Sequence, residues 1–242
     1  MENKVDSVLK RICRRVFLPK APNERLFLKQ HLSSFARETN NKLILDVGAG
    51  ECQYAYLFKQ RNRYETCDMQ DGFYPGIEHD IVSSIYEIPG KDSHYDVVLM
   101  LQVLEHLEYP VRALKEINRI LKEGGGLFLS VPQGAGDHCE PHHYFNYTQY
   151  GLGSVLKQAG FEVLSMERLE GMFVYVGNRV QKLGSIIRYQ NLDKNYLCRV
   201  LCRLFQSTCF WIGFLLSTLN FIDKKRHYCI GLIAVGRKNK KN

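Results

Sequence analysis

Nothing in this 242-residue chain repeats and no low-complexity block interrupts it, which excludes solenoids, propeller arrays and a long disordered linker. No secretory signal pattern is read near the start, so the eight cysteines are expected as reduced thiols in a cytoplasmic setting rather than as a disulfide framework. Their spacing supports no zinc site. Cys198, Cys202 and Cys209 fall near one helical face, where thiols act as small apolar residues. Arginines near the start suggest an organellar transit peptide, but Glu2 and Asp6 sit among them and argue against one. The net charge of +8 suits an anionic partner, and its carriers gather at the two ends: Lys10, Arg11, Arg14 and Arg15, then Lys224, Lys225, Arg226, Arg237, Lys238, Lys240 and Lys241. No aromatic platform or recognition motif accompanies that charge, so no nucleic-acid partner is expected; a membrane surface, an acidic glycan and plainly solvated tails stay open.

The length is enough for one substantial core and short for two independent domains. Strand and helix patterns alternate from residue 43 onward, which favours a parallel, doubly wound sheet over separate α and β regions. Leu43-Ile44-Leu45-Asp46-Val47-Gly48-Ala49-Gly50 is the most informative stretch, an apolar strand running into an acid and a two-glycine turn. Glycines there let the backbone approach a nucleotide-type ligand, and a following helix would offer it unpaired N–H groups. A dinucleotide-binding loop usually has a third glycine three residues after the second, and that place is Gln53.

Further segments follow in order. Arg63 to Asp68 reads as a second strand ending in a carboxylate, about twenty residues after the turn, the spacing of an acid that accepts ribose hydroxyls. Ile77 to Ile81 reads as a short third strand. Tyr95 to Leu101 is a nearly continuous apolar run, the pattern of a central strand buried on both faces. Ala113 to Lys122 has helical spacing and stops at Gly124-Gly125-Gly126, a helix closed by glycine. Leu127 to Pro132 is the next strand, Gly151 to Ala159 a helix, and Gly160-Phe161-Glu162-Val163 the step into another strand.

Leu45 to Gly50 resembles the first motif of class I S-adenosylmethionine-dependent methyltransferases, with Cys52 in the place of the third motif glycine. Val103-Leu104-Glu105-His106-Leu107 is similar to the Leu-Glu-His segment after the fourth strand of that family, and Lys122 to Gly126 to its helix-to-strand step, with Glu123 in the proline place. The resemblance covers roughly residues 43 to 165. It implies an α/β, doubly wound, mostly parallel seven-stranded sheet and S-adenosyl-L-methionine as cofactor. It also implies cofactor contacts by Asp46, Gly48 and Gly50, by Asp68 to the ribose, by Asp80 and Ile81 to the adenine, and by Leu101 and Gln102 beside it. The expected division is an N-terminal helical cap over 1–40, the cofactor-binding core over 41–170, a helical insertion over 171–226, and a last strand with a basic tail over 227–242.

Methyl transfer from a sulfonium is an in-line displacement, so a protein must position the acceptor and, where needed, remove its proton. The segment Asp137 to Phe145 follows the fifth strand, where loops form the mouth of such sheets. It resembles the proline-histidine-aromatic stretch of bacterial methyltransferases that accompany glycan biosynthesis. His142 or His143 is a candidate base toward a hydroxyl, with capping or stacking around the substrate loop as the alternative role of both; His106 reads as a helix-start residue lining the cofactor or acceptor pocket. His138, Cys139, Glu140, His142 and His143 are all ligand types, and Glu105 and His106 conceivable additions, but neighbouring residues rarely face one ion, so no metal is expected. The acceptor reads as a small molecule or glycan and the methylated atom as oxygen. The rival reading is a catalytically silent scaffold subunit of the same fold.

Val5, Val8, Leu9, Ile12, Val16 and Phe17 are apolar at helical spacing before the Leu18-Pro19 break, an amphipathic cap helix. The segment 197–222 is strongly apolar but interrupted by Gln206, Ser207, Thr208, Ser217, Thr218 and Asn220. Three readings of it remain: a buried or cap helix, a helix lying on the inner membrane surface, and a true span. Tyr228 to Gly236 reads as the last strand, placed antiparallel in the sheet, which argues against a span. Membrane contact would imply a lipid-linked acceptor; nothing in the sequence sets the oligomeric state.

Overall fold

The computed structural model describes residues 24–69, 76–189 and 196–239. The expected amphipathic helix from Val5 to Phe17, the basic residues Lys10, Arg11, Arg14 and Arg15, and Lys240 and Lys241 lie outside these residues. Seven strands form one sheet: β1 (Leu43–Val47), β2 (Arg63–Asp68), β3 (Ile81–Val82), β4 (Tyr95–Leu101), β5 (Leu121–Pro132), β6 (Phe161–Leu169) and β7 (Gly231–Lys238). Their order is β3-β2-β1-β4-β5-β7-β6. Every neighbouring pair is parallel except those of β7, which runs antiparallel to both β5 and β6. The expected doubly wound, mostly parallel sheet with an antiparallel last strand is therefore present. The order reverses between β1 and β4, and ligands bind outside the carboxyl ends of strands at such a switch point.

Helix α1 (Glu24–Glu38) lays Leu28, Leu32 and Ala36 on the sheet face carrying Ile44, Val97, Leu99, Phe128 and Ile233. Phe35 fills that layer, its ring 5.0 Å from Phe128. Successive strand side chains alternate faces, so Leu45, Val98, Met100 and Leu129, all without exposed surface, belong to the other layer. Helix α2 (Pro110–Ile120) starts on a proline at its first turn, where the missing N–H costs nothing, and buries Ala113, Leu114, Ile117 and Ile120. Helix α3 (Gln149–Gln158) is capped by Thr148, whose hydroxyl accepts the Gly151 N–H at 3.0 Å.

Three local expectations are corrected. The stretch after the glycine turn holds only a single 3₁₀ turn, Ala55–Leu57, in place of a full helix, because Cys52 takes a left-handed φ of 51° that an α-helix cannot contain. Helix α2 ends at Ile120 rather than at the glycines, and Gly124, Gly125 and Gly126 lie inside β5. They absorb an irregularity against β4, where Tyr95 faces Leu121 but Val97 faces Gly126. The third strand is reduced to Ile81 and Val82, since Glu78, His79 and Asp80 offer no apolar face to hold a longer pairing.

The described residues divide into two compact units, one within Phe27–Leu169 and 230–239, the other within Glu170–Cys229 and 24–26. In the second unit, α4 (Met172–Tyr189) and α5 (Tyr196–Thr218) form a tight antiparallel pair. Gly177 and Gly213 meet so closely that a Cβ on either would lie 2.4 Å from the other's carbonyl oxygen. Ser217 and Thr208 donate their hydroxyls to the Gly213 and Leu204 carbonyls, which satisfies two of the polar interruptions noted in the sequence.

Candidate functional site

The glycine turn sits between the carboxyl ends of β1 and β2. Gly48 has φ 68° and Gly50 φ 49°, conformations that favour glycine. Gly48 donates its N–H to the Cys67 carbonyl at 2.8 Å, and Gly50 donates to Asp68 Oδ2 at 2.8 Å. Asp68 is thus held at the bend by the turn itself, and its Oδ1 accepts the Met69 N–H at 2.7 Å. Each oxygen keeps a second lone pair for a ligand hydroxyl. On the other side of the turn, a Cβ on Gly48 would lie 2.4 Å from Val103 Cγ2, so the segment after β4 closes directly over the bend.

Asp46 is 4% exposed and accepts the Tyr64 phenol at Oδ2. Burial pushes its carboxyl up to about 7; the Tyr64 bond opposes this and the Asp68 charge adds to it. The Tyr64 phenol is itself pushed upward, first by burial and then by Asp46. Sequence reasoning missed Tyr64, although it shares a face of β2 with Thr66 and Asp68; only the register that sets Ile44 opposite Tyr64 shows it within reach of Asp46.

The other expected cofactor residues surround the same strand ends. Ile81 pairs with Cys67 and Val82 with Asp68, so β3 ends beside that carboxylate. Asp80 spends Oδ2 on Thr66, accepting its N–H and its hydroxyl, both at 2.8 Å, which lowers the acid's pKa, and the residue is exposed. Leu101 is half-buried opposite Ser130, and Gln102, at φ 58°, donates Nε2 to the Ser130 hydroxyl at 3.1 Å, leaving its amide oxygen. Asp80 and Gln102 therefore tie strands together besides standing near the cleft.

The histidines converge. The loop after β5 is laced to the Leu104–His106 turn: Tyr144 and Phe145 both donate N–H groups to the Glu105 carbonyl, at 2.9 and 3.2 Å. His106 Nδ1 lies 2.6 Å from the His142 carbonyl. His106 is held below its ordinary pKa, first by burial and then by the neighbouring imidazoles, against the pull of that carbonyl. His142 turns its side chain outward, whereas the His143 side chain is 3% exposed, with Nδ1 3.5 Å from Asp137 Oδ1. The His138 ring centre lies 4.3 Å from that of His143 and 4.9 Å from that of His106. Glu105 is completely buried, its Oε1 3.9 Å from His106 Nε2. Glu105 and His106, only conceivable additions to the ligand types of the later loop in the sequence, are here brought beside His138, from a different strand-end loop.

The sheet order, the glycine turn and the carboxylate on the next strand define the Rossmann-like fold of methyltransferases. A methyltransferase domain family matches residues 45–129. A probable S-adenosylmethionine-dependent methyltransferase of Mycolicibacterium smegmatis is 30% identical over 109 residues, 43% of this chain and 38% of that one. The mitochondrial ubiquinone biosynthesis O-methyltransferase of Candida albicans is 45% identical over 50 residues, 21% of this chain and 15% of that one. The chain spans less than half the length of the curated relatives it matches first, 47, 38 and 36%. A solved structure of the 1,6-didemethyltoxoflavin N1-methyltransferase of Burkholderia thailandensis, with S-adenosylhomocysteine bound, has the same fold at a TM-score of 0.53 and 16% identity, covering 98% of this chain and 87% of that one. Residues 45–129 thus match a methyltransferase domain, in a chain that is similar to S-adenosylmethionine-dependent methyltransferases.

Proposed function

We propose that this protein transfers a methyl group from S-adenosylmethionine to an oxygen of a small-molecule or glycan-like acceptor, in the cytoplasm and against the inner membrane surface. The observation that carries the reading is the bond from the Gly50 N–H to Asp68 Oδ2, which fixes a carboxylate with spare lone pairs at a left-handed glycine bend. These residues fit the cofactor. Asp68 would receive the ribose hydroxyls, Gly48, Gly50 and Asp46 the methionine end, Ile81 and Asp80 Oδ1 the adenine, and Leu101 with the Gln102 amide oxygen the remaining wall. Bound there, the sulfonium supplies a methyl carbon open to in-line attack.

Of the candidate bases, His142 is the one whose ring is exposed and whose backbone is pinned, through His106 Nδ1. It takes the proton as the acceptor O–H bond breaks and the O–CH₃ bond forms. His143 and His106 are too enclosed to reach an acceptor and hold the loop instead. His142→Ala is expected to lower kcat by about 10²-fold with cofactor affinity unchanged, measured by steady-state kinetics beside calorimetry; equal turnover would remove His142 from this role.

Membrane contact is favoured by α5, which with the residues after it exposes Leu204, Phe205, Trp211, Ile212, Leu215, Phe221 and Ile222 and is followed by Lys224, Lys225 and Arg226. Val200–Ile222, 23 residues, is long and apolar enough to cross a membrane. A surface-lying helix pair agrees with β7, which returns the chain to the sheet directly afterwards, and points to a lipid-linked acceptor. The scaffold reading rests on Cys52 in the glycine loop and on the apolar insertion. Calorimetry separates the two, because an intact cleft should bind S-adenosylhomocysteine at micromolar affinity, on the order of −8 kcal/mol, and a scaffold should not bind it.

A further inference from the structure

We propose that Glu105, His106 and His138, completed by His143, form a binding site for one divalent transition-metal ion of the zinc class. Ligand atoms of Glu105, His106 and His138 all lie within 4.8 Å of one another. Ligands bonded to zinc at about 2.0–2.1 Å stand about 3.3 Å apart in a tetrahedron, so closing the site takes a movement of up to about 1.5 Å. The His138 ring can supply it, since its recorded hydrogen bond is to its own loop, the Gly136 carbonyl.

Tautomer and burial support the assignment independently. His106 Nδ1 faces the His142 carbonyl at 2.6 Å and His138 Nδ1 faces the Gly136 carbonyl at 3.0 Å. A carbonyl only accepts, so in each neutral ring Nδ1 carries the hydrogen and Nε2 the lone pair. This is the arrangement in which metal-bound histidines are held, one nitrogen on a backbone carbonyl and the other on the ion. The His143 ring stands beside the cluster, its centre 4.3 Å from that of His138 and 6.0 Å from that of His106; both its nitrogens are buried without a hydrogen bond, and Nδ1 has only the Asp137 carboxylate near it, at 3.5 Å. Burying such polar atoms is costly, and a metal bond at one of them removes part of that cost. The full burial of the Glu105 carboxylate beside three imidazoles fits the same occupant. Three nitrogens and one carboxylate oxygen suit zinc or cobalt and disfavour magnesium and calcium, which take oxygen ligands.

The site stands whether or not the protein methylates anything, because its readout is the metal. Metal-stripped full-length protein is titrated with zinc chloride by calorimetry and with cobalt chloride by visible absorption. The expected result is one ion per chain, a cobalt spectrum of nitrogen and oxygen ligation without thiolate charge transfer, and at least tenfold weaker binding in both His138→Ala and His143→Ala. His106→Ala is a poorer probe, since that ring also pins the loop, whereas His138→Ala leaves those tethers in place. No binding, binding with thiolate charge transfer, or equal affinity in His138→Ala would each overturn the assignment.

Discussion

At the scale of single residues, Asp46 is placed at the site at the expense of stability. Its carboxyl is raised from 3.8 to about 7 in the folded protein, mainly by burial. Between these values the folded state binds the proton that the unfolded state has lost, so stability falls as pH rises through the window and levels off above about 7. A shift of about 3 units corresponds to about 4 kcal/mol, and Asp46→Asn is expected to recover part of it at pH 8 and little at pH 4, by denaturant unfolding. The cationic methionine end of the cofactor favours the ionised acid, so in the proposed function cofactor affinity rises between pH 6 and 8 in the parent protein. Asp46→Asn should flatten that rise, and an unchanged slope would show that another group governs it. Tyr64→Phe deletes the bond that lowers Asp46 and should move the midpoint to higher pH.

Among the elements, those built on long apolar runs were legible in advance. Leu43 to Val47, Tyr95 to Leu101 and the strand before Gly236 have no other way to bury their side chains, and Asp68 followed from its spacing to the turn. What escaped was decided across strands. The Thr66–Asp80 and Tyr64–Asp46 bonds depend on register, which no single segment encodes. The three glycines after Lys122 read as a helix stop because their sequence does not say that β5 must bulge past Tyr95. Likewise, Glu105, His106 and His138 were named together as ligand types, but which of the candidates converge is decided only once two loops are hydrogen-bonded together. The helix pair of the second unit allows a sharper test. With the Gly213 carbonyl 2.4 Å from where a Gly177 Cβ would sit, Gly177→Ala must push the helices apart, at a cost of about 1–3 kcal/mol. Thermal unfolding measures it, and an unchanged Tm would mean that the two helices are not packed at that point.

On the scale of the whole molecule, the segment Glu170–Cys229 is inserted between the end of β6 and the start of β7. Leu169 and Gly231 are paired across those strands, and Ile230 donates its N–H to the Leu169 carbonyl at 3.0 Å. Exit and re-entry are therefore neighbours on one edge of the fold, and a tight hairpin turn spans the same gap. A shortened chain with Glu170–Cys229 replaced by such a turn should keep S-adenosylhomocysteine binding and lose sedimentation with anionic vesicles, if the apolar pair is the membrane contact. Loss of both properties would show that the core needs the second unit to fold. The position of that doorway has an evolutionary corollary. Any segment whose two ends meet a hairpin's width apart can be exchanged there as a cassette, so lineages sharing this cofactor cradle are free to acquire new surroundings without disturbing a single rung of the sheet.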